Sequence, residues 1–173
     1  MSLILLVDSV HPELAVALIR DKSARFLTFG MQKEHDKNIN RLVKELLASE
    51  NVTFSDLDAY AVVVGPGSWT GCRVGVAAVK GFAFAVPKPV IAINSLDAIG
   101  DPSAIKSNLD NYYIKRGDKY TCEKLTSAEG FATVESIGVQ NYHSRLIKMA
   151  ILGKRQPAKE IKPFYLTEFA VKN

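Results

Sequence analysis

The chain has 173 residues, of which 47% are hydrophobic and 23% are charged. This composition is typical of one folded domain or two small lobes and argues against a disordered chain. No apolar run approaches the roughly 18–20 residues that a membrane span needs, and the first ten residues lack the basic start of a signal peptide. Cys72 and Cys122 are too few for a disulfide framework, which predicts reduced thiols and a cytoplasmic protein.

The net charge of +4 is unevenly distributed along the chain. Residues 1–100 contain ten basic and ten acidic side chains, whereas residues 101–173 contain twelve and eight. The whole excess therefore lies in the second part. Such an excess is compatible with an RNA or acidic protein partner, but a mildly basic solvated surface is the commoner explanation.

The first part of the chain begins with strands and continues into a helix. Apolar runs at Leu3–Val7, Leu14–Ile19 and Arg25–Phe29 predict a strand followed by a hairpin. The segment from Asp36 to Glu50 has the i, i+3, i+4, i+7 spacing of a helix with one apolar stripe, and its first residue is the predicted cap. The stripe consists of Ile39, Leu42, Val43, Leu46 and Leu47.

A second strand–helix–strand unit follows. Ala59–Val64 is an uninterrupted apolar strand, and a glycine-rich turn leads from it into a helix that reaches about Val86. Pro87 ends this helix, and Val90–Asn94 is the next short strand. The order of elements predicts an α/β fold in which helices pack against a mixed sheet.

The second part of the chain has a weaker pattern. Tyr112–Ile114 and Tyr120–Leu125 are predicted to be strands around a glycine turn. Phe131–Val139 is predicted to be a further strand, and Tyr142–Leu152 has the periodicity of a helix.

The glycine-rich turn has the sequence GPGSWTGCRVG over residues 65–75. A helix N-terminus behind such a turn presents free N–H groups, which is a natural arrangement for an anion, and hydroxyl side chains cap it well. The sequence is neither a Walker A motif nor GxGxxG, so a phosphate site and a structural turn both stay open. The candidate loop residues are Gly65, Pro66, Gly67, Ser68, Thr70 and Arg73.

This run resembles the GPGSFTGLRIG signature of the bacterial TsaB (YeaZ) family. The resemblance extends to Leu3–Ser9, to Glu34 and His35, to Pro89–Leu96, and to Pro163–Leu166. It implies the actin-like, Hsp70-like (ASKHA, ribonuclease H-like) fold. By this reading, residues 1–100 form a full N-terminal lobe and residues 101–173 a reduced second lobe.

The resemblance also implies a function. Family members are non-catalytic scaffold or activating subunits of the machinery that makes threonylcarbamoyladenosine (t6A) in tRNA. The implied partners are TsaD, the catalytic paralogue, and TsaE, an ATPase, with tRNA contacted only indirectly. A homodimer stays open, and neither a cofactor nor a metal is expected.

The partner contact is expected on the helices of the first lobe. Small residues recur every four positions at Ala77, Gly81 and Ala85, which places them on one helical stripe. Such a stripe serves either packing on the chain's own sheet or close approach of a partner helix, and the sequence leaves both open. The predicted interface residues are Ile39, Leu42, Val43, Leu46, Gly71, Val74, Gly75 and Ala78.

The resemblance has local departures that bear on catalysis. The HxxxH metal ligands of TsaD-like relatives fall on Ser95 and Ile99, neither of which is a useful ligand. Val10 follows the first strand where nucleotide-binding members of the superfamily have a glycine, so Asp8 and Ser9 are interpreted as a degenerate nucleotide site. The alternative function is an independent small-molecule kinase or peptidase of the same fold.

Overall fold

Three antiparallel strands open the chain: β1 (Leu3–Asp8), β2 (Glu13–Arg20) and β3 (Ser23–Met31). The structure is a computed structural model that describes residues 2–31, 34–107 and 110–166. β2 pairs with both of its neighbours, so the three apolar runs lie side by side. The predicted strand and hairpin are confirmed.

Helix α1 (His35–Ser49) follows the three strands. Its apolar stripe is buried, as the periodicity predicts. The predicted cap is wrong, because Glu34 occupies the N-cap position with a φ of 77° and no side-chain hydrogen bond. Asp36 lies inside the first turn, where a carboxylate is also favourable because of the helix dipole. The residue type alone therefore does not show whether an aspartate lies at the N-cap or in the first turn of the helix.

The predicted strand–helix–strand unit is also present. It comprises β4 (Ala59–Gly65), α2 (Trp69–Ala85) and β5 (Val90–Asn94). β4 runs parallel to both β1 and β5, and the helices cross between the strands. The glycine loop thus joins the carboxyl end of a central strand to the start of α2.

Six strands form one mixed sheet in the order β3-β2-β1-β4-β5-β9, in which β9 (Arg155–Gln156) pairs antiparallel with β5. Three parallel strands flanked by an antiparallel hairpin form the ribonuclease H-like sheet that the actin-like and Hsp70-like proteins share. The predicted fold class is confirmed.

Helices cover both faces of this sheet. One apolar cluster joins α1 and α2 to one face, and the other joins α3 (Ser95–Ile99) and α5 (Val139–Leu152) to the opposite face. Along β4, Tyr60 belongs to the first cluster and Ala61 to the second. Because both faces are covered, the central strands are continuous apolar runs without alternation.

The residues after position 100 form a small second sheet before they return to the first. β6 (Ser103–Lys106), β7 (Asn111–Arg116) and β8 (Lys119–Lys124) are antiparallel neighbours. Two of these are the strands that the sequence predicts. α5 then packs on the six-stranded sheet, and β9 forms its edge strand beside β5. The division into lobes at residue 100 stays a prediction.

The predicted strand Phe131–Val139 is wrong. Thr133 accepts a hydrogen bond from the Ser136 N–H at 3.1 Å and caps the short helix α4 (Val134–Ile137). Gly138, with a φ of 80°, separates α4 from α5. The β-branched residues favour a strand locally, and the reciprocal capping hydrogen bonds override that preference.

Within the three described segments, no helix is both long and apolar enough to cross a membrane.

Candidate functional site: the glycine loop and its cleft

The glycine loop is held by close backbone approaches. The Ser68 hydroxyl oxygen accepts a hydrogen bond from the Gly71 N–H at 3.1 Å and caps α2. Gly65 has a φ of 109°, and a Cβ atom there would lie 2.6 Å from Cys72 Sγ and 2.8 Å from the Phe164 carbonyl oxygen. Only glycine fits this position, because a side chain would be both strained and obstructed.

The end of β1 packs directly against α2. The Ser9 hydroxyl donates a hydrogen bond of 2.7 Å to the Gly71 carbonyl oxygen, and Ser9 is fully buried. A Cβ atom on Gly71 would collide with the Ser9 carbonyl, and one on Gly75 would collide with the Ser9 hydroxyl. These two glycines therefore allow the helix to approach the strand within this chain.

A buried polar cluster lies beside Ser9. Asp8 is 2% exposed, and its Oδ2 lies 2.9 Å from His11 Nδ1. The hydroxyl of Tyr142, on α5, donates to the same oxygen at 3.1 Å and lies 2.9 Å from His11 Nδ1. Asp8 Oδ1 accepts the Val10 N–H at 3.0 Å. Both carboxylate oxygens are thus used inside the chain.

These contacts determine the charge states in the cluster. Burial acts to raise the pKa of Asp8, but the charge and hydrogen bond of His11, with the Val10 N–H and Tyr142, outweigh it and lower the pKa. Burial and the neighbouring Asp8 raise the pKa of Tyr142 well above its ordinary value. The carboxyl is therefore ionised and the phenol keeps its proton, which matches the donor and acceptor roles above.

His35 is the first residue of α1 and ties that helix to the turn after β1. Its Nδ1 lies 3.2 Å from the Ser9 carbonyl oxygen, and its Nε2 lies 3.3 Å from the Pro12 carbonyl oxygen. Glu34 and His35, where the sequence resembles the TsaB family, therefore lie at the N-terminus of α1, and His35 positions it against the turn after β1.

A cleft of about 770 Å³ separates the glycine loop and the start of α1 from the β6–β7 sheet. His11 and His35 line one wall, and Thr70 lines it further along. The charged residues around it are three carboxylates and one lysine, namely Glu34, Asp36, Glu135 and Lys106. This excess of negative charge opposes the binding of a polyanion such as a nucleoside triphosphate, although a helix N-terminus lies nearby.

The C-terminal segment closes over the glycine loop. The Phe164 N–H donates a hydrogen bond of 2.8 Å to the Val64 carbonyl oxygen. The Tyr165 ring stacks on Trp69 at a centroid distance of 4.0 Å, and the Arg73 guanidinium lies 5.4 Å above the Trp69 ring. Trp69 keeps 41% of its surface exposed. This arrangement, the C-terminal clasp, consists of Phe164 and Tyr165 seated on the loop.

Most of the predicted interface residues lie inside the chain. The four α1 residues Ile39, Leu42, Val43 and Leu46 are at most 4% exposed and pack in the core between α1 and the sheet. Gly71 and Gly75 are buried against Ser9. Val74 and Ala78 are partly buried against the same core. Their surface is thus used within this chain, and a direct contact with a partner stays a prediction.

The exposed side of α2 is the side that the small-residue stripe identifies. Ala77, Gly81 and Ala85 are exposed, and a Cβ atom on Gly81 would meet no atom of the described segments within 4 Å. Phe84 lies beside them with 90% of its surface exposed. We call these four residues the α2 face. Gly81 differs in this respect from Gly71 and Gly75, because no neighbour among the described residues requires its small size.

Cysteine chemistry and metal binding have little support in this site. Cys72 is 1% exposed, and burial raises the pKa of its thiol to about 12, so the thiolate nucleophile is suppressed at neutral pH. In the part of the chain that the structure describes, no three His, Cys, Asp or Glu side chains are grouped as metal ligands. His143 instead stacks on Phe26 at 4.2 Å.

Sequence reasoning missed two of the residues that organise the site. Tyr142 lies on a helix whose apolar periodicity is evident, but its hydroxyl contact with Asp8 joins residues far apart in sequence. Tyr165 lies in the segment that matches the family at Pro163–Leu166, so the motif itself was the available clue. Its stacking on Trp69 depends on the path of the chain after α5.

The fold and the site together define an actin-like protein whose first-strand carboxylate is engaged by its own histidine and tyrosine. Two solved structures share this fold over nearly all of the chain. One is described as an uncharacterized protein with similarity to the peptidase YEAZ, from Pseudomonas aeruginosa, with a TM-score of 0.78, and the other as YeaZ from the same organism, with a TM-score of 0.77. Each match has 21% identity and covers 96% of this chain and 100% of the other.

Sequence comparisons lead to the same family. The chain is 34% identical over 96 residues to the tRNA threonylcarbamoyladenosine biosynthesis protein TsaB of Haemophilus influenzae, and 33% identical over 98 residues to that of Bacillus subtilis. These matches cover 56% of this chain and 41% and 42% of the relatives, so less than half of each relative is matched. The family model described as TsaD, tRNA N6-adenosine threonylcarbamoyltransferase, matches residues 30–110. The findings confirm the predicted resemblance to the TsaB/YeaZ family.

Proposed function

We propose that this chain is a non-catalytic subunit of t6A biosynthesis that binds a TsaD-family protein through the α2 face. The observation that carries the proposal is the exposed Phe84 beside a stripe of small residues on a helix whose other side is buried. The names of the TsaB relatives support the pathway, and the TsaD family match supports a paired lobe of similar architecture.

The geometry of the α2 face suits a helix as the bound element. Residues spaced by four lie on one side of a helix, and small side chains there allow another helix to approach closely. An exposed aromatic ring at the end of the stripe provides the large apolar contact around which interfaces are commonly built. A lobe of the same fold would present an equivalent helix, which favours pairing of two related chains.

The state of the β1 end supports a subunit over an independent kinase or peptidase. Asp8 is engaged by His11 and Tyr142, and Ser9 is engaged by Gly71, so neither is free for phosphate or metal chemistry. Cys72 is a buried thiol. The carboxylate-rich cleft disfavours a nucleotide, and in this proposal the chain uses no cofactor of its own.

The wider assembly follows from the same proposal. A TsaE-type ATPase would join as a further partner, and tRNA would be contacted through the complex as a whole. A homodimer is the competing use of the α2 face, since a second copy presents the same stripe. The protein would act in the cytoplasm, where tRNA modification takes place.

The test is an association measurement with the cognate TsaD by light scattering and titration calorimetry. We expect a heterodimer at micromolar concentrations. Phe84→Ser and Gly81→Leu should each weaken it by about tenfold or more, because an exposed aromatic contact and a close helix approach are lost. Leu152→Ser is the matched control, since Leu152 is 72% exposed on the opposite face of the sheet.

Two results would overturn this proposal. One is the absence of any complex with TsaD, and the other is a complex that both α2 variants leave unchanged. A separate titration of the isolated chain with ATP and magnesium addresses the alternative function. Tight nucleotide binding there would favour an independent enzyme.

A further inference from the structure

The second half of the chain contains a long segment without acidic residues. Residues 136–159 include five Lys or Arg side chains and no Asp or Glu. Much of the net positive charge of the chain therefore falls on α5 and on the short strand β9 that follows it. Helix α5 lies on the face of the sheet opposite α2, so the proposed function does not account for the charge that α5 carries.

A groove of about 470 Å³ runs between α5 and the sheet, and we call it the α5 groove. Its apolar and small residues are Ala92, Met149, Leu152 and Gly153, and its charged residues are Asp97, Arg145 and Lys148. Leu152 is 72% exposed at its edge, and the neighbouring Ile151 is 37% exposed. Two adjacent large apolar side chains therefore face solvent beside a cavity.

The packing of Gly153 holds one end of the groove in place. A Cβ atom there would collide with the Ile91 side chain and lie 2.6 Å from the Met149 carbonyl oxygen. The chain consequently passes very close to β5 as it leaves α5. Its next two residues are Lys154 and Arg155, which brings two further cations to the same end.

The charge of the α5 groove is positive because its one acidic side chain is already paired. Asp97 Oδ1 lies 2.8 Å from Lys115 Nζ and accepts the Tyr120 hydroxyl at 2.7 Å. Among the described residues, Lys148 and Lys154 take part in no ion pair. The Arg145 guanidinium donates to the Ile99 carbonyl oxygen, which is a neutral partner.

We propose that the α5 groove binds an acidic, leucine-containing segment of a protein partner. An aliphatic side chain of that segment would lie against Met149 and Leu152, and its carboxylates would pair with Lys148 and Lys154. Charge complementarity favours an acidic segment, because two cations line the groove, two more follow Gly153 at its end, and the one acid among the lining residues is already paired. The exposed side chains of Leu152 and Ile151 favour an apolar side chain as the anchor of the bound segment.

RNA is the other polyanion that a basic surface attracts, and the groove fits it less well. Single-stranded RNA binding uses aromatic rings on which bases stack. The described residues that line the α5 groove include no aromatic ring, and the side chains at its edge are aliphatic. The apolar edge of the groove contributes nothing to binding phosphate groups, whereas a leucine side chain of a bound peptide would bury this edge.

The test uses the full chain and fluorescence anisotropy with defined probes. The main probe is a labelled synthetic peptide that alternates pairs of glutamate and leucine, and the matched probe replaces each leucine with serine. Single-stranded RNA and unmodified tRNA are the nucleic-acid probes. We expect saturable binding of the glutamate–leucine peptide, at least about tenfold tighter than that of the serine peptide.

Two surface variants locate the binding. Lys148→Glu and Leu152→Ser should each weaken peptide binding by about tenfold, whereas Lys44→Glu, a charge reversal on the exposed side of α1, should leave it unchanged. All three side chains are exposed, and unchanged thermal melting verifies that each variant is folded. Binding of the TsaD partner should be insensitive to the two groove variants.

The proposal is overturned if the wild-type chain shows no saturable peptide binding, or if the serine peptide binds equally well. It is also overturned if RNA binds more tightly than the peptide and Lys148→Glu abolishes that binding, because the surface would then be an RNA site. These outcomes are independent of whether the α2 face binds TsaD.

Discussion

Tyr165 and Trp69 stack with their ring planes inclined by only 23°, and this contact joins the end of the described chain to the first turn of α2. The hydrogen bond from the Phe164 N–H to the Val64 carbonyl lies directly beside it. The clasp therefore contacts the loop at Val64 and Trp69, whereas Ser9 contacts it at Gly71. The loop is consequently held between two segments of its own chain.

Loss of the Tyr165 ring should expose Trp69 and loosen the clasp. Trp69 is the single tryptophan of the chain, so all tryptophan fluorescence comes from this site. For Tyr165→Ala we expect an emission shift to longer wavelength and a fall in the free energy of unfolding of about 1–2 kcal/mol. Tyr165→Phe keeps the stacked ring and should resemble the wild type. Equal emission from the alanine variant and the wild type would contradict the contact.

The sequence predicted the sheet well because its strongest signals are local. The central strands are uninterrupted apolar runs, and the stripe of α1 is a clear 3.6-residue period, so both types of element were assigned correctly. Errors occurred where short-range hydrogen bonds override propensity. Thr133 and Ser136 cap one another and begin a helix in a segment rich in strand-forming residues.

The candidate site was predictable only in part, for a different reason. The glycine loop is contiguous in sequence, and its signature alone indicated the family. The Asp8–His11–Tyr142 cluster and the clasp depend on residues that the fold brings together from distant positions. The apolar α1 stripe, for which core and interface uses were both open, is buried in the core of the chain itself, and its contact with a partner stays a prediction.

The Asp8 cluster should make stability depend on acid. The pKa of Asp8 is lower in the folded chain than its ordinary value of 3.8. Its stabilising contribution is therefore complete above that value and is lost as the pH falls through the lower, folded-state pKa. We expect the difference in unfolding free energy between wild type and Asp8→Asn to shrink as the pH falls below about pH 4. Urea unfolding over this range measures it.

Tyr142→Phe is the matched variant for the same cluster. It removes one hydroxyl that donates to the buried carboxylate and keeps the ring, so a loss of about 1–3 kcal/mol at neutral pH is expected. The acid dependence should persist in this variant, because His11 still pairs with Asp8. A difference between wild type and Asp8→Asn that stays constant down to the acid limit would contradict the assignment.

The two cysteines should differ in reactivity. Burial raises the pKa of Cys72 to about 12, and its side chain is almost inaccessible, whereas Cys122 is partly exposed on β8. Iodoacetamide at slightly alkaline pH should therefore modify Cys122 first in the native chain and both residues after unfolding. Peptide mass spectrometry identifies the modified position. Rapid labelling of Cys72 in the native chain would show that the loop opens readily.

Two glycines of α2 offer a matched test of what the helix packs against. A Cβ atom on Gly75 meets the buried Ser9 hydroxyl, whereas one on Gly81 has no neighbour within 4 Å in the part of the chain that the structure describes. Gly75→Ala should destabilise the chain by about 1–3 kcal/mol, because the contact between helix and strand is overpacked. Gly81→Ala should stabilise it by up to about 1 kcal/mol, since alanine is the better helix former. Thermal and urea unfolding compare the two directly. A destabilising Gly81→Ala would mean that this side of α2 is packed within the chain and is not free for a partner.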